Sequence, residues 1–299
     1  MSRILVIRGG AIGDFLLTLP AIKLLRDSFP QAHLEIMGYQ HIIALARMSG
    51  YADATRSIEY GPLATFFTRD GELDPELVTY FSRFQQIVSY LFDPDEIFAR
   101  NLERPGVLDL IVGPAKLNDQ EHAARQLARP LERLALYVDD PAPVIMPNEP
   151  AVPNANLWAI HPGSGSATKC WPAERWLTLA RALLEQPIAA ELLVVGGEAD
   201  DVALRQMEQL LPNDRVRFAR HEPLPVLAGL LQNCGHFIGH DSGISHLAAA
   251  VGAPSLLLFG PTDPAIWAPQ NPQVRILRSN DRTMAGLEIA HVLAAIAAK

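Results

Sequence analysis

The chain has 299 residues, of which 49% are hydrophobic and 19% are charged, and its formal net charge is -8 at pH 7. This composition excludes an intrinsically disordered chain and is that of a folded protein long enough for about two domains. The negative charge argues against a general nucleic-acid binder, because such proteins displace phosphate counterions with a broad basic surface. We therefore expect no nucleic-acid partner.

Cysteine content and hydropathy indicate the compartment. Cys170 and Cys234 are the only cysteines, too few for a disulfide framework, and they fit a reducing environment. No signal-type segment opens the sequence, and the most apolar stretch, residues 247–259, is interrupted by Gly252 and Pro254. We expect a cytoplasmic protein, and we leave peripheral contact with the inner face of a membrane open.

Short apolar strand patterns alternate with helical patterns along the chain, as in βαβ units around a parallel sheet. The predicted strands span residues 3–7, 33–37, 55–59, 86–90, 108–112, 157–161, 191–195, 215–219, 236–239, 255–259 and 274–277. The clearest predicted helices span residues 21–28, 120–136, 173–184, 199–211, 223–232 and 244–251.

A proline-rich segment separates the two halves of this alternation. Residues 139–156 contain five prolines, which prevent a helix and disfavour a central strand, so this segment is interpreted as a stiff linker. The sequence thus predicts an α/β protein with two doubly wound domains, residues 1–145 and 146–299. Ligands are expected beyond the carboxyl ends of the strands, in a cleft between the domains.

A glycine-rich loop, RGGAIGD, follows the first predicted strand. Gly9, Gly10 and Gly13 partly match the dinucleotide fingerprint. That fingerprint would require glycine in place of Arg8, and the second strand ends at Gly38 rather than at an acidic residue. A nicotinamide-dependent oxidoreductase is therefore disfavoured, and the glycines are interpreted as letting another molecule approach the backbone.

Asp14 closes this loop at the start of a helical pattern. A carboxylate there is stabilised by the free N–H groups and by the helix dipole, and helix capping is the simpler interpretation of an isolated acid. Pro20 either kinks the following helix or marks its true start.

A second loop, HPGSGSATKCWPAERW, spans residues 161–176. Its glycines and serines, with Ser164 and Ser166 among them, offer N–H groups and hydroxyls to an anion, and Lys169 adds a positive charge. The alternative is a surface turn with a solvated lysine. Trp171 and Trp176 are interpreted as anchors in the domain core.

A third loop, GHDSGISHLAAAVGAP, joins a predicted strand to a helix. Asp241, Ser242 and Gly243 lie at this junction, where hydroxyl and N–H groups can receive a phosphate. His246 lies one turn further along, and Thr262 in the following GPTDP turn is another candidate donor. Two alternatives stay open, namely that Asp241 only caps the helix and that His246 is a packed core residue.

Two weaker features have simpler explanations. Arg125, Arg129 and Arg133 recur every four residues and could bind an anionic acceptor from one helix face. Glu121 stands four residues before the first of them, which favours an ordinary surface ion pair. Residues 221–222, His and Glu, follow a strand where a carboxylate could bind ribose hydroxyls.

Taken together, three segments resemble glycosyltransferase family 9, the ADP-heptose:lipopolysaccharide heptosyltransferases and their relatives. They are GDFLLTLPAI, the K-x-W-P-x-x-x-W pattern of residues 169–176, and DSGISHLAAAVGAP followed by FGPTDP. They occur in the family's order and span nearly the whole chain. The resemblance implies a GT-B fold, two Rossmann-like domains facing across a cleft, with the nucleotide sugar held mainly by the second. It also implies that a last helix, within residues 283–298, crosses back to the first domain.

The resemblance further implies an inverting glycosyl transfer without a metal or a cofactor. The donor would be a nucleotide sugar, an ADP-linked heptose by inheritance, and the acceptor a lipopolysaccharide-type or other glycan or glycolipid. The family's general base carries over onto Asp14, with Gly10 and Gly13 leaving room for the acceptor beside it. The implied donor-binding residues are Ser164, Ser166, Lys169, Asp241, Ser242, Gly243, His246 and Thr262.

No family motif can be placed between residues 40 and 117, so the acceptor rests on the resemblance alone. Two other functions stay open on the same scaffold. One is a nucleotide-sugar epimerase or hydrolase, and the other is a noncatalytic nucleotide-binding protein, against which the presence of Asp14 argues mildly.

Overall fold

The computed structural model describes residues 2–107, 109–147, 151–185, 191–197, 200–212 and 214–298. The chain separates into two compact units, Met1–Pro141 and Ala142–Lys299. The start of the strand predicted at 108–112, the start of the helix predicted at 199–211, and residues 148–150 of the proline-rich segment lie outside the described residues.

The first unit is built on a five-stranded parallel sheet with the order β3-β2-β1-β4-β5. Its strands are β1 (Arg3–Arg8), β2 (His33–Gly38), β3 (Ala54–Ser57), β4 (Gln86–Ser89) and β5 (Leu110–Val112). The strand order reverses between β1 and β4, and loops that follow strands at such a reversal form the usual ligand crevice of an open α/β sheet.

Helices cover this sheet and bury its apolar side chains. They are α1 (Ile12–Ser28), α2 (Gln40–Met48), α3 (Pro75–Phe81), α4 (Ile97–Glu103) and α5 (Ala123–Ala128), with 3-10 turns at Gly61–Phe67 and Arg129–Leu134. An aromatic core cluster forms on one side of the sheet, where Phe66, Phe81 and Phe98 are fully buried with ring centroids 4.8 to 6.2 Å apart.

Two helices differ from the sequence prediction, and proline explains both. Helix α1 begins at Ile12 and runs through Pro20, whose buried ring is accommodated although it removes one backbone N–H. The helix predicted over 120–136 is instead α5 followed by the 3-10 turn at Arg129–Leu134, because Pro130 cannot donate to an α-helical ladder.

The second unit holds a six-stranded parallel sheet with the order β11-β10-β9-β6-β7-β8. Its strands are β6 (Asn154–His161), β7 (Glu191–Gly196), β8 (Val216–Arg220), β9 (Cys234–His240), β10 (Ser255–Phe259) and β11 (Val274–Arg278). Here the strand order reverses between β6 and β9. The loop that contains Lys169 follows β6, and the loop that contains Asp241 and Ser242 follows β9.

The helices of the second unit pack around this sheet. They are α6 (Ala173–Glu185), α7 (Asp201–Leu210), α8 (Leu224–Gln232), α9 (Gly243–Ala250), α10 (Pro264–Trp267) and α11 (Ile289–Ala297), with a 3-10 turn at Ala167–Lys169. Helix α11 packs with α6 in the core of the second unit, where the side chain of Val292 is fully buried. The return of a last helix to the first domain stays a prediction.

Within the described ranges, no helix combines the length and the hydrophobicity that a bilayer crossing requires.

Candidate functional site

The loop after β1 presents Asp14 in the first turn of α1. The carboxylate Oδ2 accepts a hydrogen bond from the Ala11 N–H at 2.9 Å, and Oδ1 lies 3.5 Å from Nη2 of Arg8. Asp14, the third residue of the helix, satisfies the N–H of the N-cap residue Ala11, whose own side chain has no oxygen to offer. The Asp14 side chain remains 41% exposed. It therefore caps the helix and is also accessible to solvent.

Arg8 is a partner of Asp14 that the sequence analysis treated only as a departure from a glycine pattern. Its side chain is 8% exposed, its Nη2 also donates to the Asp14 carbonyl at 3.4 Å, and its guanidinium lies 5.7 Å from the Tyr90 ring centroid. Burial lowers the pKa of Arg8, while the charge of Asp14 opposes this shift. The Asp14 carboxylate is thus held by a buried cation and a backbone N–H.

Gly10 makes this geometry possible. Its φ is +97°, and a Cβ at this position would lie 2.7 Å from Oδ2 of Asp14. The loop therefore needs glycine both for its backbone conformation and for the space that the carboxylate occupies. Gly13 lies in the first turn of α1 and is partly exposed.

In the second unit, the loops after β6 and β9 are joined by Lys169 and Asp241. Lys169 Nζ lies 2.7 Å from Oδ2 of Asp241, whose side chain is buried, and the hydroxyl of Ser164 donates to the Asp241 carbonyl at 2.9 Å. Three of the residues implied for the donor site are therefore in direct contact at the point where the strand order reverses.

Ser242 is the N-cap of α9, and its hydroxyl accepts a hydrogen bond from the Ser245 N–H at 3.3 Å. His161, the last residue of β6, contacts the same hydroxyl through Nδ1 at 3.1 Å, and its Nε2 lies 3.4 Å from Oδ2 of Asp200. Burial raises the pKa of Asp200, but the hydrogen bonds from His161 and from the Gly197 N–H outweigh it and lower that pKa overall. Sequence reasoning missed both His161 and Asp200 as site residues.

His240 forms hydrogen bonds with three groups of the second loop, residues 161–176. Its Nε2 accepts hydrogen bonds from the Trp171 N–H at 2.9 Å and from the Trp176 indole at 3.2 Å, so its Nδ1 carries the proton and donates to the Gly163 carbonyl at 3.3 Å. Burial lowers the pKa of His240 to about 3, and the imidazole is neutral. Trp171 and Trp176 are buried in the core, which confirms their interpretation as anchors.

The remaining implied donor residues lie at different depths. Gly243 opens α9, and His246 is buried within that helix. The Ser166 hydroxyl lies 2.9 Å from that of Thr168, on the exposed side of the loop. The Thr262 hydroxyl is shielded from solvent and has no hydrogen-bond partner among the described residues. A buried hydroxyl without a hydrogen-bond partner is uncommon in native structures.

The basic stripe of the first unit is structural rather than a binding face. Arg129 pairs with Glu121, Arg125 donates to the carbonyls of residues 138 and 139, and Arg133 donates to the Leu110 carbonyl at 3.2 Å. The spacing predicted an ion pair between Glu121 and Arg125, but Glu121 pairs with Arg129, and Arg125 binds backbone carbonyls. These bonds fix the segment that follows β5.

His221, considered beside Glu222 for ribose binding, contacts Oδ1 of Asp201 at 3.1 Å.

Comparison with known proteins adds a family match. The family model described as glycosyltransferase family 9 (heptosyltransferase) matches residues 122–296, more than half of the chain. A Haemophilus influenzae protein named lipooligosaccharide heptosyltransferase 2 is 32% identical over 114 residues, which are 37% of this chain and 32% of that protein. Lipopolysaccharide heptosyltransferase 3 of Escherichia coli K12 is 31% identical over 114 residues, with the same coverage. The match thus spans about a third of the length of these relatives.

Solved structures match over the full chain. A glycosyl transferase family 9 protein from Veillonella parvula has a TM-score of 0.78 at 18% identity, covering 99% of this chain and 96% of its own. The Escherichia coli ADP-heptose lipopolysaccharide heptosyltransferase II has a TM-score of 0.76 at 18% identity, with coverage of 100% and 98%. Two parallel α/β sheets, as in these GT-B structures, confirm the predicted fold class.

Proposed function

Because the chain belongs to glycosyltransferase family 9, we propose that it transfers a sugar from a nucleotide sugar to a hydroxyl of a glycan or glycolipid acceptor. The proposed donor is ADP-heptose and the proposed acceptor a lipopolysaccharide-type glycolipid. The names of the matched relatives support this choice, as does a similar solved structure described as an Escherichia coli heptosyltransferase with ADP. A lipid-linked acceptor would be met at a membrane surface, so the proposal includes peripheral contact there.

The donor diphosphate is assigned to the second unit, between Lys169 and the N-terminus of α9. The observation that carries this assignment is the pairing of Lys169 with Asp241, which brings the β6 and β9 loops together at the strand-order reversal. A lysine and unpaired helix N–H groups offer a diphosphate both charge and hydrogen bonds. Thr262 supplies a further hydroxyl from the loop after β10.

Asp14 is assigned as the general base. In an inverting transfer the base removes the proton from the acceptor hydroxyl, whose oxygen forms a bond to the anomeric carbon as the bond from that carbon to the diphosphate breaks. The nucleoside diphosphate leaves with the bonding electrons, and Lys169 and the α9 N–H groups stabilise its charge. An exposed carboxylate beside Gly10 is suited to this role.

The test compares Asp14→Asn with Asp27→Asn in the full chain. The amide oxygen at position 14 can still accept from the Ala11 N–H, so helix capping is retained while the base is lost. Asp27 is an exposed acid of the same helix, paired with Lys23, and serves as the matched control. We expect nucleoside diphosphate release from ADP-heptose with an acceptor to fall about a hundredfold to ten-thousandfold in Asp14→Asn only.

Binding is measured in parallel by calorimetry with ADP. Asp14→Asn should bind ADP as the unmodified chain does, while Lys169→Met should bind it more weakly. Full turnover by Asp14→Asn would contradict the assignment of the base. Equal release with and without an acceptor would instead favour a hydrolase on the same scaffold.

A further inference from the structure

His161 connects three loops at the carboxyl edge of the second sheet. The residue ends β6, its Nδ1 contacts the Ser242 hydroxyl at the start of α9, and its Nε2 contacts Asp200 after β7. Only 3% of its surface is exposed. A buried imidazole whose two ring nitrogens both make such contacts fixes the relative position of the groups that it joins.

The hydrogen-bond partners of Ser242 show which way its hydroxyl faces. It receives the Ser245 N–H at 3.3 Å, lies 3.1 Å from the Ser245 hydroxyl and lies 3.1 Å from Nδ1 of His161. The Ser245 hydroxyl gives its own proton to the His240 carbonyl, so the proton between the two serines belongs to Ser242. The Ser242 hydroxyl is therefore committed to partners inside the protein.

The Asp200 carboxylate contacts the backbone of two loops, those after β7 and β6. Its Oδ2 accepts the Gly197 N–H at 3.0 Å, and a Cβ at Gly163 would lie 1.8 Å from its Oδ1. The carboxylate thus occupies space that any side chain at position 163 would fill. This contact fixes Asp200 beneath the β6 loop and lets it anchor the imidazole of His161.

We infer that His161 is a positioning residue of the donor site: anchored by Asp200, it holds the N-cap Ser242 so that the first N–H groups of α9 face the diphosphate. The inference rests on the proposed function and identifies which groups at the start of α9 bind the diphosphate. From the sequence, both the Ser242 hydroxyl and the nearby N–H groups were candidates for binding the phosphate. In the structure that hydroxyl faces His161, and the backbone N–H groups that follow it are the anion donors.

Two conservative substitutions separate the two contacts of His161. An asparagine amide takes about the place of Nδ1, so His161→Asn keeps a partner for Ser242 and loses Asp200. A glutamine amide reaches about the place of Nε2, so His161→Gln keeps Asp200 and loses Ser242. We expect the dissociation constant of ADP to rise about tenfold in His161→Gln, as for one lost hydrogen bond, and less in His161→Asn.

A double-mutant cycle distinguishes positioning from general loss of structure. If His161 acts through Ser242, the effect of His161→Gln on ADP affinity should disappear in a Ser242→Ala background. A purely structural role would give the same fold-change in both backgrounds. At saturating donor, kcat should change much less than the KM for the donor. His291→Gln, at an exposed histidine of α11, is the matched control, and thermal unfolding shows that each variant is folded.

The unmodified chain is titrated first with ADP, GDP, UDP and inorganic pyrophosphate. If none of them binds, both the proposed function and this inference are wrong. If one binds and His161→Gln binds it equally well, or loses the same factor with and without Ser242, the inference alone is wrong. A loss in His161→Gln that vanishes with Ser242→Ala and is smaller in His161→Asn supports it.

Discussion

Gly9 and Gly10 are neighbours in the loop after β1, but the structure constrains them differently. A Cβ at Gly9 would meet nothing closer than 3.7 Å, in ordinary contact with the side chains of Ile58 and Leu91. A Cβ at Gly10 would lie 2.7 Å from the carboxylate of Asp14 and would need a φ of +97°. Of the two glycines, only Gly10 is constrained by the carboxylate of the proposed base, Asp14.

Gly10→Ala is therefore expected to displace Asp14 and to lower kcat at least about tenfold, with a loss of about 1 to 2 kcal/mol in the free energy of unfolding from the left-handed backbone. Gly9→Ala is the matched control and should keep both. Steady-state rates and denaturant titrations of the two variants measure this. Equal rates in Gly9→Ala and Gly10→Ala would contradict the role of Gly10 in placing the Asp14 carboxylate.

From the sequence, Asp14, Lys169 and Asp241 could be proposed as candidate site residues, because each stands in a polar loop that follows an apolar strand. The sequence could not predict Arg8 as the partner of Asp14, or His161 as the partner of Ser242 and Asp200. His161 meets Ser242 across 81 residues of sequence, and such contacts exist only once strand order brings distant loops to one edge. A basic or imidazole residue at the end of a buried strand is the signal that could have drawn attention to both.

At the level of elements, strand β9 ends in the buried, neutral His240. The unfolded chain binds a proton at this histidine below a pH of about 6.5, its ordinary pKa, whereas the folded chain binds it only near the lowered pKa of about 3. Between these values the unfolded state holds more protons. Stability is therefore full above pH 6.5 and declines as the pH falls through this window.

We expect His240 to reduce the free energy of unfolding of the second unit by about 1.4 kcal/mol for each pH unit below 6.5, about 2 kcal/mol by pH 5. His240→Gln keeps an acceptor for the Trp171 N–H but does not titrate. The difference in the free energy of unfolding between the unmodified chain and His240→Gln should shrink by that amount between pH 6.5 and pH 5 in denaturant titrations. Asp200, whose pKa is lowered, acts below this range. A constant difference would show that His240 is not buried and neutral.

The strands could be predicted because buried parallel strands form continuous apolar runs, as in β1 and β10. Helices were harder to predict where proline intervenes, as Pro20 and Pro130 show. Helix α3 was missed although Asp74 caps it and Pro75 opens it, which is a recognised start signal. The short α2 and α4 are stabilised by tertiary packing, which local propensity does not report.

In the whole molecule, the two sheets carry different chemistry at their strand-order reversals. The β1 loop of the first unit presents a carboxylate, and the β6 and β9 loops of the second present a lysine and a helix N-terminus. Residues 40–117, in which no motif was recognised, contribute Phe66, Phe81 and Phe98 to the aromatic cluster of the first unit.

Amide hydrogen exchange on the full chain is expected to detect donor binding in the second unit. ADP is expected to slow amide exchange in residues 162–169, 241–246 and 260–263, because a ligand that binds the native state suppresses local opening. AMP, which lacks the second phosphate, should protect the Lys169 segment less. Protection confined to residues 9–14 would contradict the assignment of the donor to the second unit.

The capping bond from Asp14 to the Ala11 N–H has a consequence for evolution. Ala11 offers no oxygen of its own, so α1 relies on the Asp14 carboxylate, and loss of such a cap costs about 1 kcal/mol. In a cell, a loss of that size lowers the abundance of a marginally stable protein. A descendant without catalytic activity would still gain stability from a side-chain oxygen at position 14, so an Asp or Asn there does not by itself mark an active enzyme.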